Sequence, residues 1–103
     1  MILNQEPLIE RVLSEEEQRS LSPDDVLQLL IDGNRRFAAG TLTLRDHSKQ
    51  IRAGVKGQFP KAIILSCIDS RIPVEDVFDK GIGDLFVARV AGNIINEDIL
   101  GSM

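Results

Sequence analysis

The stretch AIILSCIDSR, residues 62–71, decides the fold of this 103-residue chain. Residues 62–66 are apolar or small, which predicts a core strand buried on both faces. Cys67, Asp69 and Arg71 follow in alternation, and alternate residues of an extended segment point the same way. A thiol, a carboxylate and a guanidinium are therefore expected together at the carboxyl end of a strand, where open α/β sheets bind their ligands.

The sequence after this stretch predicts a second strand. Pro73 can open a short helix, and residues 85–90 are rich in β-formers. The order strand–helix–strand implies a parallel pair joined by a right-handed crossover. Residues 91–93 predict a tight turn, and Asn96 predicts the start of a further helix. Because two parallel strands rarely stand alone, we expect an incomplete sheet and the first part of a larger domain.

Helices are predicted before the first strand. Apolar residues between positions 8 and 13 have helical spacing and predict a short amphipathic helix. Residues 22–39 predict a longer helix, because Ser22 can N-cap it and Gly40 is a natural stop. Gly33 inside this helix costs about 1 kcal/mol relative to alanine and predicts a close contact. We therefore divide the chain into a helical arm, residues 1–40, and an α/β part, residues 41–103.

The segment before the first strand, residues 41–60, predicts a loop containing a short helix. His47 is the only histidine, and the nearby sequence offers it no partners, which favours a structural or exposed role. Arg35 and Arg36 of the preceding helix are interpreted as a solvated face, with anion binding as the alternative.

Composition excludes several classes of function. The net charge of -4 and the pI of about 4.9 argue against a nucleic-acid-binding or anionic-membrane-binding surface. No run approaches a membrane span, and the N-terminus lacks the pattern of a signal peptide. The single cysteine allows no internal disulfide, which predicts a reducing, cytoplasmic compartment.

The Cys67–Arg71 segment leaves several chemical interpretations open. A thiolate is a strong zinc ligand, a carboxylate can be one, and a guanidinium can form a bidentate pair with that carboxylate. Spacing alone favours a buried structural cysteine beside a surface ion pair. A nucleophilic cysteine would have no nearby base except His47. The phosphatase spacing does not fit, because the sixth position after the cysteine is Pro73.

Several ordered motifs resemble those of the first half of a β-class carbonic anhydrase. They are Gln58-Phe59-Pro60-Lys61-Ala62, Cys67-Ile68-Asp69-Ser70-Arg71, Arg89-Val90-Ala91-Gly92-Asn93 and Ile99-Leu100-Gly101. The segment Asp32-Gly33-Asn34-Arg35-Arg36-Phe37 resembles the N-terminal helix of the same family. The resemblance implies an α/β fold in which N-terminal helices precede a parallel sheet with right-handed crossovers.

The resemblance also implies roles for individual residues. Cys67 would be a zinc ligand. Asp69 would either cap the zinc or accept a hydrogen bond from its bound water, and Arg71 would hold this carboxylate off the metal. Gln58 would help to hold the substrate, commonly across a subunit interface, and Phe86 would line the pocket for carbon dioxide.

The implied activity is the zinc-dependent, reversible hydration of carbon dioxide to bicarbonate. The family completes its zinc site with a histidine and a second cysteine beyond the first, and this chain contains one cysteine, with His47 before it. We therefore expect the 103 residues to be truncated before the second ligand motif and inactive alone. Alternatives are a non-catalytic folding or interaction module and a hydrolase of carbon disulfide or carbonyl sulfide. The expected partner is a second copy, with a homodimer or larger homo-oligomer packing its N-terminal helices across the interface.

Overall fold

The structure, a computed structural model, describes residues 8–103. Its helices are α1 (Glu15–Ser20), α2 (Pro23–Ala39), α3 (His47–Ala53), α4 (Val74–Val77) and α5 (Glu97–Ser102). Its strands are β1 (Ala62–Ser66) and β2 (Leu85–Arg89), and 3-10 turns occupy Gly54–Lys56 and Ala91–Asn93. None of the helices in this part of the chain has the length and apolar character that crossing a membrane requires. The mixed α/β class is confirmed.

Helix α2 begins and ends at the residues that the sequence indicates. The Ser22 hydroxyl accepts a hydrogen bond from the Asp25 amide, and the Asp25 side chain accepts one from the Ser22 amide. This reciprocal capping satisfies two amides that the first helical turn leaves without partners. At the other end, Gly40 adopts a left-handed conformation with φ of 74°, which glycine enters without a steric penalty. The predicted helix over residues 22–39 is confirmed.

The helix predicted from apolar residues 8–13 is wrong. This segment is extended: the Ile9 amide donates to the Leu44 carbonyl at 2.9 Å, and the Asp46 amide donates to the Ile9 carbonyl at 2.8 Å. Backbone pairing with a distant segment therefore replaces local helical bonds. Helix α1 begins only after Ser14, whose side chain caps the Glu17 amide. The part of the predicted arm before residue 8 lies outside the described residues.

Close packing of α2 against α4 explains Gly33. A Cβ atom at this position would lie 1.8 Å from the Phe78 carbonyl oxygen, so any side chain would force the two segments apart. The contact predicted from this glycine is confirmed. Helix α4 is a single turn, Val74–Val77, and the chain leaves it through Asp79, whose φ is 48°. Val74, at 2% exposure, is the only large apolar side chain among the described residues that is fully buried.

Strands β1 and β2 pair in parallel, as predicted, with Ala62 opposite Leu85 and Ser66 opposite Arg89. The prediction that β1 is buried on both faces is wrong for residues 8–103. Ile63 and its partner Phe86 share one face of the sheet, and they are 38% and 45% exposed. The described residues thus cover one face of this two-stranded sheet more completely than the other.

A buried carboxylate joins the helical segments to the sheet unit. Asp79 is 1% exposed, and its oxygens accept hydrogen bonds from the Arg36 guanidinium, from the Thr43 amide and hydroxyl, and from the Arg45 guanidinium. Arg45 also donates to the Asp79 carbonyl at 2.8 Å. Burial raises the pKa of Asp79, but the hydrogen bonds from Thr43, Arg36 and Arg45 outweigh it and hold the pKa well below its usual range. Arg36 therefore binds an anion, the Asp79 carboxylate of the same chain, and the interpretation of this residue as part of a solvated face is wrong.

We expect Asp79→Asn to lower the free energy of unfolding by about 3 kcal/mol, because it leaves two guanidinium groups beside an uncharged amide. Asparagine tolerates the left-handed backbone at this position, so the change tests the charge and not the backbone. Urea unfolding measures the loss. The matched control is the exposed Asp24→Asn in the first turn of α2, expected to cost less than about 1 kcal/mol.

The same group predicts a pH dependence. Because the pKa of Asp79 is depressed in the folded state, its stabilisation is present above the unfolded value of about 3.9 and is lost as the pH falls below it. Urea midpoints measured from pH 6 downwards should fall more steeply for the parent than for Asp79→Asn. Parallel pH curves for the two proteins would contradict this assignment.

Candidate functional site

The side chains of Cys67, Asp69 and Arg71 follow the carboxyl end of β1. Arg71 Nε donates to Asp69 Oδ1 at 3.0 Å, and Arg71 Nη2 donates to Asp69 Oδ2 at 2.6 Å. The Arg71 amide adds a third hydrogen bond to Oδ1, at 2.9 Å. The Arg71 side chain and amide lower the pKa of Asp69, which therefore remains an anion with both oxygens engaged. The sequence predicted this bidentate pair.

The Cys67 thiol accepts a hydrogen bond from the protein backbone. Its sulfur accepts a hydrogen bond from the Gly92 amide at 3.4 Å. Gly92 lies in the turn after β2, where its φ of 72° is left-handed, so the predicted tight turn brings an amide to the thiol. Hydrogen bonds from the Gly92 and Asp69 amides lower the pKa of Cys67. A lowered pKa favours the thiolate, which is the form that binds metals.

Arg89 braces the loop that carries these three residues. Its Nη1 donates to the Cys67 carbonyl at 2.9 Å and to the Asp69 carbonyl at 3.4 Å, and its Nη2 donates to the Ile72 carbonyl at 2.7 Å. One guanidinium therefore fixes three carbonyls on both sides of the Asp69–Arg71 pair. No role was predicted for Arg89 from the sequence. Its predicted position at the end of the second strand, beside the end of the first, could have indicated a contact with the Cys67–Arg71 segment.

The two residues proposed to contact substrate lie elsewhere. Phe86 lies in the middle of β2, on the exposed sheet face with Ile63. Gln58 precedes β1 and lines a cavity of about 440 Å³ that also includes Gly83, just before β2. Gln58 is therefore at the amino end of the sheet, whereas Cys67 is at the carboxyl end. Within one chain the structure does not bring Gln58 to Cys67, and both substrate roles stay predictions.

The residues around Cys67 supply only part of a zinc site. A catalytic zinc uses about three protein ligands and keeps one position open. In the described range, residues 8–103, no three His, Cys, Asp or Glu side chains are grouped closely enough to hold a metal. His47 is exposed at the start of α3, as expected. Cys67 and, at most, Asp69 can contribute ligands, so these residues alone do not fit a complete zinc site.

The chain is similar to known carbonic anhydrases. The sequence profile described as "Carbonic anhydrase" matches residues 62–103. Over 83 residues, 80% of this chain, the sequence is 43% identical to carbonic anhydrase 2 of Mycobacterium tuberculosis. It is 40% identical to a carbonic anhydrase of Mycolicibacterium smegmatis over the same length. A carbonic anhydrase of Synechococcus elongatus is 38% identical over 69 residues, 67% of this chain and 25% of that relative.

The alignment covers 40% of the length of each mycobacterial relative, so the chain spans about two fifths of these proteins. The family profile includes both strands and all three residues of the Cys67–Arg71 group. The chain belongs to the β-class carbonic anhydrase family.

Proposed function

We propose that these residues belong to a longer protein, and that this whole protein is a zinc-dependent carbonic anhydrase that interconverts carbon dioxide and bicarbonate. The observation that carries the proposal is the Asp69–Arg71 pair at the carboxyl end of a parallel strand. Asp69 lies two residues beyond a thiol that accepts a hydrogen bond from a backbone amide. This arrangement lies within the part of the chain that matches the family. The Arg89 guanidinium also donates to three backbone carbonyls of the same loop, which fixes the positions of Cys67 and Asp69 relative to each other.

Each residue has a distinct part in this proposal. Zinc, when bound, acts as a Lewis acid that lowers the pKa of water to about 7. Cys67 supplies one thiolate ligand, and the Gly92 amide favours its charged form. Asp69 acts as a hydrogen-bond acceptor of fixed orientation, because Arg71 engages both of its oxygens. Arg89 is a positioning residue that acts through the loop backbone.

The remaining requirements have to come from outside residues 8–103. Further metal ligands are needed, and the substrate roles of Gln58 and Phe86 need a surface that meets the Cys67 end of the sheet. A homodimer or larger homo-oligomer would supply Gln58 from a second copy. The exposed Phe86 would line the carbon dioxide pocket once its face is covered, which supports the same assembly.

We expect the whole protein with zinc to accelerate carbon dioxide hydration, and the 103-residue chain alone to remain at the buffer rate. The reason is ligand number, because the described residues supply no more than two of about three ligands. Stopped-flow hydration with a pH indicator measures both. Turnover by the 103 residues with contaminating enzyme excluded would contradict the ligand argument. The proposed substrate would be wrong if the whole protein hydrolysed carbon disulfide or carbonyl sulfide but did not hydrate carbon dioxide.

In the whole protein, Arg71→Ala should lower kcat/KM by roughly 10- to 100-fold, in the range seen when the partner of a metal-site group is removed. Without the two-point contact, Asp69 is free to turn toward a metal ion bound by Cys67. Arg71→Lys should restore little, because an ammonium cannot reproduce the fork of two donors. Asp69→Asn should keep the metal and lose activity. A structure of Arg71→Ala with unchanged Asp69 geometry, together with full turnover, would refute the assignment.

Arg89→Lys should separate positioning from stability. A lysine keeps the charge but cannot span the carbonyls of Cys67, Asp69 and Ile72 with two nitrogens. We expect kcat/KM of the whole protein to fall by roughly tenfold or more, with the urea midpoint nearly unchanged. The control is Arg52→Lys at an exposed site in α3. Equal activity of the two variants would show that Arg89 does not position the site.

A further inference from the structure

A cavity with a charged lining lies apart from the Cys67 site. Its volume is about 200 Å³. Segments before α1, helices α1 and α3, and the residues that precede both strands contribute to its walls. Its charged lining residues are Arg11, Glu17, Arg45, Lys61, Lys80 and Asp84. Cations therefore outnumber carboxylates around this cavity, which lies at the amino end of the sheet.

Lys80 is the most unusual of these groups. It is only 6% exposed, and its Nζ donates one hydrogen bond, to the Leu29 carbonyl at 3.2 Å. An ammonium group has three donors. The ion pairs formed among residues 8–103 include neither Lys80 nor Lys61. Burial, with Lys61 and Arg36 nearby, lowers the pKa of Lys80 by more than the nearby Asp84 raises it.

The carboxylates of the cavity are already engaged. Glu17 binds Arg11 at 2.6 Å, and Asp84 Oδ2 accepts a hydrogen bond from the Gly81 amide at 2.7 Å. Arg45 in turn is held by Asp79 at 2.7 Å. Among the charged lining residues, those without an ion-pair partner in the described part of the chain are therefore Lys61, Lys80 and Asp84, which leaves a net positive charge in the cavity. A buried charge without a partner is costly, and an anion between two lysines would remove that cost.

We propose that this cavity binds a small oxyanion, with the size and charge of inorganic phosphate or bicarbonate, through the ammonium groups of Lys80 and Lys61. The two lysines approach the cavity from different segments, one before β1 and one before β2. An anion held between them would link the two strand starts, where the Lys61 amide already donates to the Asp84 carbonyl at 2.8 Å. The site is separate from Cys67 and does not depend on zinc or on catalysis.

The test is a titration of the protein with sodium phosphate, sodium bicarbonate and sodium chloride at constant ionic strength, followed by the backbone amide resonances. We expect saturable shifts at residues 80–84 and at Lys61 with one or both oxyanions, and none with chloride. Lys80→Met and Lys61→Met should each weaken binding by about tenfold or more, in line with the loss of a charged hydrogen bond. The control, exposed Lys56→Met, should bind like the parent.

Methionine has a volume similar to that of lysine but carries no charge. Replacing buried charged groups by apolar groups of similar volume is often neutral or stabilising, so we expect the Lys80→Met protein to fold. A preserved amide spectrum in buffer confirms that. Binding of phosphate but not bicarbonate, or the reverse, identifies which oxyanion the site takes. Shifts that rise linearly without saturation, equal shifts with chloride, or undiminished binding by both methionine variants would overturn the proposal.

Discussion

The Asp79 carboxylate is the contact on which the arrangement of the described chain depends. Its partners come from α2 through Arg36 and from the segment before α3 through Thr43 and Arg45. Asp79 itself lies between α4 and β2. Few apolar side chains are fully buried in this part of the chain, so a buried polar network has a large share in fixing relative positions. Such networks specify geometry because each unsatisfied member is costly.

This network determines the position of α4, and α4 in turn connects the two strands. With α2 held by Asp79, Gly33 can meet the Phe78 carbonyl, where a side chain would not fit. The crossover then places the end of β2 level with the end of β1. In that register Arg89 reaches the carbonyls of the Cys67–Ile72 loop, and the Gly92 amide reaches the thiol. The candidate site is thus local in sequence but held by contacts from a distance.

The division between local and distant contacts explains what the sequence could predict. Helix α2 follows from its own caps, and both strands follow from their apolar runs. The sequence also offered a bidentate Asp69–Arg71 pair, but from an extended segment; β1 ends at Ser66, and the pair forms across a turn at residues 70–71 in which the Arg71 amide also donates to Asp69. The internal partner of Arg36, for which anion binding was only the alternative, and the role of Arg89 were not predicted, since their partners lie 43 and about 20 residues away. The error at residues 8–13 has the same origin: helical spacing was present, but Ile9 pairs with the distant Leu44 and Asp46.

Two features of the structure have one physical cause under the proposed function. Residues 8–103 leave Ile63 and Phe86 exposed and group no three potential metal ligands. Under the proposed function, both follow because these residues would form one side of the sheet and part of the zinc site. Zinc needs about three protein ligands, and a parallel sheet is ordinarily covered on both faces. Any polypeptide segment that covers the Phe86 face of the sheet would also enclose an apolar pocket beside β2. Metal binding and substrate binding should therefore arise together, when further chain or a second subunit completes the sheet.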